Sequence, residues 1–274
     1  MFYTPYRGFK GSSSLAWGLL GNQPYKNFLD KAQWPSIKLA IFHGSREASE
    51  AAVIQGNVNG GLYEAARGGH KDLVDFFISK GASNWDWGMY GAAEGGHRDL
   101  VDFFISKGAS DDWDFGMWGA AEGGHRDLVD FFISNGASDW DWGMRAAARG
   151  GHKDLVDFFI SKGASDWDGG MRGAAYGGHR DLVDFFISKG AASWNWGVRC
   201  AAKGGHQDLV DFFISNGASD WDWGMWGAAQ GGHKDLVDFF ISKGASDWDF
   251  GMRCAAEGGH RDLVDFFKAK MSPP

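Results

Sequence analysis

"NWDWGMYGAAEGGHRDLVDFFISKGAS", residues 84–110, is one copy of a unit that fills most of the chain. Its histidine returns every 27 or 28 residues, at His70, His97, His125, His152, His179, His206, His233 and His260. A His-x-Asp pair could indicate a proton relay or a metal ligand set. An active site is built once, however, whereas a unit that recurs at a short fixed period indicates stacked repeats. We interpret the histidines as turn or cap residues that bond to neighbouring backbone, and we predict no catalytic or metal-binding residue and no cofactor.

The first half of the unit predicts a helix over 87–94. Met89, Ala92 and Ala93 share one face of this helix, and Asp86 is expected to be its N-cap. The cap position reads Asp86, Asp114, Asp141, Asp168, Asn195, Asp222 and Asp249 along the repeats. Two positions earlier stand Asn84, Asp112, Asp139, Asp166, Ser193, Asp220 and Asp247. A metal site would require carboxylates in every copy, so the Asn and Ser copies favour turn and cap geometry.

The second half of the unit predicts a second helix that begins near His97 and ends at 107–108. Leu100, Val101, Phe104 and Ile105 form its buried stripe. Gly95-Gly96 reverses the chain between the two helices. One such pair of helices cannot offset its own ordering entropy, which is on the order of 40 kcal/mol, so neighbouring units must stack.

These residues resemble the ankyrin repeat family. Gly96-His97, Leu100-Val101, Phe104-Ile105, Gly108-Ala109 and Ala92-Ala93 match the helix pattern of that family over residues 61–267. The period of 27 is shorter than the 33 residues usual in the family, and the missing residues are those of its β-hairpin finger. The resemblance therefore implies an all-α solenoid of about nine stacked helix pairs, with the fingers reduced or absent. The phrase "GGHKDLVDFFISKGA" also resembles ankyrin-like arrays encoded by large DNA viruses of amoebae.

Four segments are expected along the chain. Residues 1–33 match no repeat, and their aromatic residues predict either a lid on the first repeat or a short linear motif. Residues 34–57 are a degenerate N-terminal capping repeat. Residues 58–267 hold eight repeats, and residues 268–274 form the C-terminal cap and tail.

Charge and cysteine usage limit the expected partners. The net charge is −8, and residues 61–274 alone carry −11, which disfavours binding to nucleic acid or to an anionic membrane. Cys200 and Cys254 lie two repeats apart, roughly 16–20 Å in a helical stack, which is too far for a disulfide. Free thiols and the lack of a signal-like apolar segment predict an intracellular, cytoplasmic protein, in the host cytoplasm or the virion if it is viral.

The first helix also has a face opposite Met89 and Ala92, which we call the first-helix face. It consists of two rows of residues: Tyr90, Trp118, Arg145, Arg172, Arg199, Trp226 and Arg253 and, four residues later, Glu94, Glu122, Arg149, Tyr176, Lys203, Gln230 and Glu257. In ankyrin-like stacks this face is expected to line the concave surface. The candidate partner-binding residues are Tyr90, Trp118, Arg145, Arg149, Arg172, Tyr176, Arg199, Lys203, Trp226 and Arg253, because Arg, Trp and Tyr are enriched at interface hot spots. The alternative is a solvated face whose arginines pair with nearby Asp turns.

Two tryptophans per repeat offer a further alternative. The Trp85 row, identical in every copy, could be a stacking platform but is expected to pack between copies, whereas the Trp87 row falls to Gly169 in one copy and is expected to be less buried. Together these observations predict a non-enzymatic scaffold that binds an acidic protein segment with apolar anchors. The alternative is a structural or assembly protein, viral if the second resemblance holds, whose stacks pack against each other.

Overall fold

The computed structural model describes residues 34–271, which form nine helix pairs without a strand. The first helices are α1 (Trp34–Phe42), α3 (Val58–Arg67), α5 (Trp85–Glu94), α7 (Trp113–Gly123), α9 (Trp140–Gly150), α11 (Trp167–Gly177), α13 (Trp194–Gly204), α15 (Trp221–Gly231) and α17 (Trp248–Glu257). The second helices are α2 (Arg46–Ile54), α4 (Lys71–Ser79), α6 (Arg98–Ser106), α8 (Arg126–Ser134), α10 (Lys153–Lys162), α12 (Arg180–Ser188), α14 (Gln207–Ser215), α16 (Lys234–Lys243) and α18 (Arg261–Met271). The predicted all-α stack of helix pairs is confirmed. Residues 1–33, predicted to be a lid or a short linear motif, and the last three residues of the predicted tail lie outside the described residues.

A continuous core runs between the two helices of every pair. In the repeat that holds α5 and α6, Met89 and Ala92 are fully buried against Val101 and Phe104. Ile105, predicted to be in the buried stripe, is only half-buried. The Trp85 row is half-buried throughout and packs against the core, as at Trp113. Burial of this kind recurs in each repeat, so the core extends along the whole stack.

Neighbouring first helices approach one another almost backbone to backbone. A Cβ added to Gly95, at the end of α5, would lie 2.1 Å from the backbone oxygen of Arg67 in α3. A Cβ added to Gly91 would lie 2.6 Å from the backbone oxygen of Tyr63. Glycine stands at the Gly95 position in every repeat, whereas the Gly91 position also holds Ala146 and Cys200, so small residues make the first-helix layer of the stack compact.

Neighbouring second helices lie farther apart, and cations bridge them. The Arg98 guanidinium carbon of α6 is 3.6 Å from the ring centroid of Phe131 in α8, while its Nε pairs with Asp102 at 2.9 Å. Equivalent contacts join Lys71 to Phe103, Arg126 to Phe158, Lys153 to Phe185, Arg180 to Phe212 and Lys234 to Phe266. Because the first helices are closely spaced and the second helices are not, the stack bends with its first helices inside.

This bend brings the two ends of the described stack together. A Cβ added to Gly259, in the last repeat, would lie 3.9 Å from Cδ1 of Trp34 in α1. Burial lowers the pKa of His260, and the charge of Lys38 in α1 adds to this effect. The first helix pair therefore lies beside the last repeat.

The aspartate predicted to cap each first helix has a different role. The first helices begin two residues earlier than expected, so the cap of α9 is Asp139, whose carboxylate accepts the N–H of Trp142 at 2.9 Å. Asp141 instead accepts the backbone N–H of Ser165 at 2.6 Å and of Asp166 at 2.8 Å, both in the next repeat. The expected cap assignment of the Asp86 row is therefore wrong. The row joins consecutive repeats.

A second joint between repeats is made by the histidines. Nε2 of His152 lies 3.0 Å from the backbone oxygen of Glu122, at the end of the preceding repeat's first helix. Since the partner is a carbonyl, Nε2 must carry the hydrogen and donate it. Equivalent bonds start from His70, His97, His125, His179, His206 and His233. The histidines thus bond to backbone, as predicted, and the backbone belongs to the neighbouring repeat.

Candidate protein-binding face

The first-helix face lies on the side of α5 to α17 that points away from the second helices, and Tyr63 and Arg67 continue its two rows onto α3. Its rows occupy equivalent positions on consecutive helices, so side chains from adjacent repeats meet. The contacts divide the face into three parts: a neutralised part from α3 to α7, a basic part from α9 to α13, and an aromatic part on α15 and α17.

In the first part, tyrosines and carboxylates pair across repeats. The hydroxyl of Tyr90 donates to Oε2 of Glu122 at 2.7 Å, and the hydroxyl of Tyr63 donates to Glu94 in the same way. Burial raises the pKa of both tyrosines, and burial also raises the pKa of Glu122. Tyr90 is only 5% exposed. It was predicted to contact a partner, and its ring and hydroxyl are enclosed by these contacts within the chain.

Arginines complete this network. Nε of Arg67 lies 2.8 Å from Glu94, and Nε of Arg149 lies 3.0 Å from Glu122. The guanidinium of Arg149 also lies 4.2 Å from the ring centroid of Tyr176. Arg149 and Tyr176, both predicted to bind a partner, are half-buried and occupied with these internal contacts.

Aromatic side chains run along the same helices. Tyr90 stacks on Phe115 with ring centroids 4.8 Å apart, and Trp118 lies 4.5 Å from Trp142. In the next repeat, Gly169 stands at the position of Trp87, Phe115 and Trp142, so the run of aromatic side chains stops there. In α11, Arg172 folds back at that place: its Nε donates to the backbone oxygen of Asp168 at 3.2 Å.

The middle part holds what we call the basic cluster: Arg145, Arg172, Arg199 and Lys203. Among the described residues, Arg172 reaches a carboxylate only at 3.5 Å, in Asp166, and Arg145, Arg199 and Lys203 have no ion-pair partner. Arg199 lies 5.2 Å from the ring centroid of Trp196, and Lys203 lies 5.5 Å from that of Tyr176.

Burial and like charges act together in this cluster. Burial is the main reason why the pKa values of Arg145 and Lys203 are lowered, and neighbouring cations add to the effect. The thiol of Cys200 lies among these cations, yet burial raises its pKa. The basic cluster therefore holds positive charge that the rest of the described chain does not neutralise.

The last part contains Trp226 and Arg253. Trp226 packs on Phe250 with ring centroids 4.4 Å apart, and its indole N–H is buried without an acceptor, as is that of Trp118. Arg253 is exposed and pairs with Asp249. Of the predicted site residues, the structure thus brings together Arg145, Arg172, Arg199 and Lys203, and it separates Arg253 from them.

Sequence reasoning missed two features of this face. One is the Tyr–Glu pairing, whose signal is that Tyr63 and Tyr90 are followed in the next repeat by Glu94 and Glu122. The other is the bond from Arg172 to the backbone oxygen of Asp168, next to Gly169, where the other copies carry an aromatic residue. In Trp87 and Trp196 the exposed fraction is 48% and 38%, so the predicted lower burial of that row holds at these two positions.

The described residues contain no group of three or more His, Cys, Asp or Glu side chains that could hold a metal ion. Both cysteines are free thiols. Within residues 34–271, every helix is too short or too polar to cross a membrane.

Comparison with known proteins adds little to these observations. The crystal structure of the human ASB11 ankyrin repeat domain is similar over 68% of this chain and 98% of that chain, with 17% sequence identity and a TM-score of 0.35. The part of the chain that the structure describes is a stack of helix pairs. No family profile matches the chain, and no curated protein matches it.

Proposed function

We propose that the protein is a non-enzymatic scaffold that binds another protein on its first-helix face. The basic cluster is the observation that carries the proposal. Arg145 lies on α9, and Arg199 and Lys203 lie on α13, with α11 between them. None of the three has a carboxylate partner among the described residues, although the repeats are rich in acidic residues. Like charges held close together in a partly desolvated place repel one another, and an acidic ligand would relieve that repulsion.

The partner that fits this face is an acidic protein segment that also carries apolar side chains. Carboxylates would pair with the basic cluster. Apolar side chains would pack on the aromatic groups at its two sides, Trp118 with Trp142 and Trp226 with Phe250. Nucleic acid is a poor candidate because the net charge of the chain is −8.

Charge reversal tests the proposal directly. The variant Arg145→Glu/Arg199→Glu changes two members of the cluster, and Lys162→Glu/Lys189→Glu makes the same charge change at exposed positions beside the second helices. The probe is a fluorescein-labelled linear peptide of about 16 residues in which Glu alternates with Ser and two positions are Leu. We expect the first variant to bind the peptide about tenfold or more weakly, with a smaller dependence on salt, and the control to bind like the unchanged protein.

Equal loss in both variants would show that only net charge matters, and equal affinity of the cluster variant and the unchanged protein would refute the proposal. The assembly alternative, in which stacks pack against each other, predicts instead that the cluster variant loses self-association. Sedimentation of both variants at several protein concentrations measures this.

A further inference from the structure

The first-helix face is more enclosed than a concave surface open to solvent would be. The side chains of Glu94 and Glu122, in its second row, are only 9% and 12% exposed. Their tyrosine and arginine partners come from adjacent repeats and cover them. The two ends of the stack also meet, since Trp34 lies beside Gly259.

We propose that the described stack makes one full turn, so that the first-helix face lines an enclosed lumen, and that its ligand is an acidic segment without tertiary structure that enters the lumen as a single chain. The choice of an acidic ligand rests on the proposed function above. The size of the ligand rests on the closure of the stack.

The size of the lumen follows from helix geometry. Nine first helices spaced about 8–10 Å apart give a circumference of roughly 80 Å, and so a diameter of about 25 Å between opposite helix axes. Subtracting one helix diameter of about 10 Å leaves an opening of roughly 15 Å, part of which side chains fill. One extended chain with its side chains is about 10 Å across, whereas a folded domain of ~100 residues has a radius of gyration of about 13 Å. Only a single chain segment fits.

The charge inside the lumen selects its occupant. On α3 to α7, carboxylates are already paired with tyrosines and arginines. On α9 to α13, Arg145, Arg199 and Lys203 are not paired within the described chain, and burial lowers the pKa of Arg145 and Lys203. The ligand therefore needs carboxylates along one stretch of its length, and it binds where the lumen is basic.

A distance measurement tests closure. Ser36 and Arg261 are exposed and lie near the two ends that meet. Both are changed to Cys for spin labelling in a background of Cys200→Ala and Cys254→Ala, since Ala146 occupies the equivalent position in another repeat. We expect a distance between labels below about 40 Å by pulsed electron paramagnetic resonance, because an open stack of nine pairs at about 10 Å per pair would separate them by roughly 80 Å. A distance above about 40 Å overturns the proposal.

Two probes of equal charge test the size limit. One is the linear Glu-Ser peptide described above, and the other carries the same sequence in a surface loop of a folded domain of about 100 residues. We expect the loop probe to bind at least about tenfold more weakly than the linear peptide. Equal binding of the two probes overturns the lumen as the site, whereas the charge-reversal result can still uphold the proposed function. If neither probe binds, the proposed function fails, and the distance measurement still decides whether the stack closes.

Discussion

Replacing Asp141 by Ala should destabilise the stack through the next repeat. Its carboxylate accepts two backbone N–H groups, of Ser165 at 2.6 Å and of Asp166 at 2.8 Å. An intramolecular hydrogen bond contributes roughly 0.5–1.5 kcal/mol. Since the turn is exposed and water can replace the carboxylate in part, the two bonds together should be worth about 1–2 kcal/mol. Urea unfolding followed by circular dichroism at the helical band measures this as a lower midpoint.

Two further variants isolate the cause. Asp141→Asn should change stability little, because Asn195 already accepts the N–H groups of Ser219 and Asp220 at the equivalent position. Asp249→Ala removes a carboxylate from the equivalent position of α17, where no described backbone N–H bonds to it. It should lower the free energy of unfolding by only a few tenths of a kcal/mol, because it loses only the interaction with the helix dipole and the exposed ion pair with Arg253. If Asp249→Ala destabilised the protein as much as Asp141→Ala, the joint between repeats would not be the source of the effect.

Three other substitutions and one titration can be measured in the same way. Gly150→Ala should cost about 2 kcal/mol or more, because its Cβ would lie 2.1 Å from the backbone oxygen of Glu122; a loss below about 1 kcal/mol would contradict that spacing. His152→Ala should lower the free energy of unfolding by about 1–2 kcal/mol, because the backbone oxygen of Glu122 loses its donor. An unchanged urea midpoint would show that this bond does not hold the two repeats together. Ser193→Asn should change the free energy of unfolding by less than about 0.5 kcal/mol, because a cap bond like that of Asn84 would offset the lost bond from Ser193 to Asp168; a loss above about 1 kcal/mol would count against cap geometry. Burial lowers the pKa of His233, so the folded state favours the neutral ring. The contribution of His233 to the free energy of unfolding is therefore complete above about pH 6.5, the pKa in the unfolded chain, and it is lost as the pH falls toward the lowered pKa of the folded state. His233→Gln should flatten this decline in urea midpoints below pH 6.5, and an unaltered slope would contradict the assignment.

Much of the fold could be predicted because it depends on local patterns. The period of the histidines, the small residues of the first helix and the apolar stripe of the second each indicate a helix pair without reference to other repeats. The role of Asp141 could not be predicted, because Asp139 and Asp141 are equally good caps by residue type. Only the position of the next repeat shows that Asp139 caps its own helix and that Asp141 bonds to the repeat that follows.

The site was predicted less well for a related reason. Tyr90 and Arg145 occupy the same row, yet Tyr90 is buried against Glu122, and Arg145 has no ion-pair partner among the described residues. Their environments are set by the neighbouring repeats. Closure of the stack is harder still to foresee, because it is the sum of small rotations between repeats that no single residue determines.

The two joints between repeats share a property with a consequence for how such a chain can change. The Asp141 carboxylate and the His152 ring both bond to main-chain groups of a neighbouring repeat, and every amino acid except proline presents those groups alike. A copy of the unit can therefore follow any other copy, whatever side chains either displays toward the interior. Gene duplication and unequal recombination could exchange whole units without spoiling a joint, and each exchange would alter the pattern of charge and aromatic groups inside. The side chains that bind a partner can therefore vary between arrangements of the units, whereas the contacts that hold the repeats together stay the same.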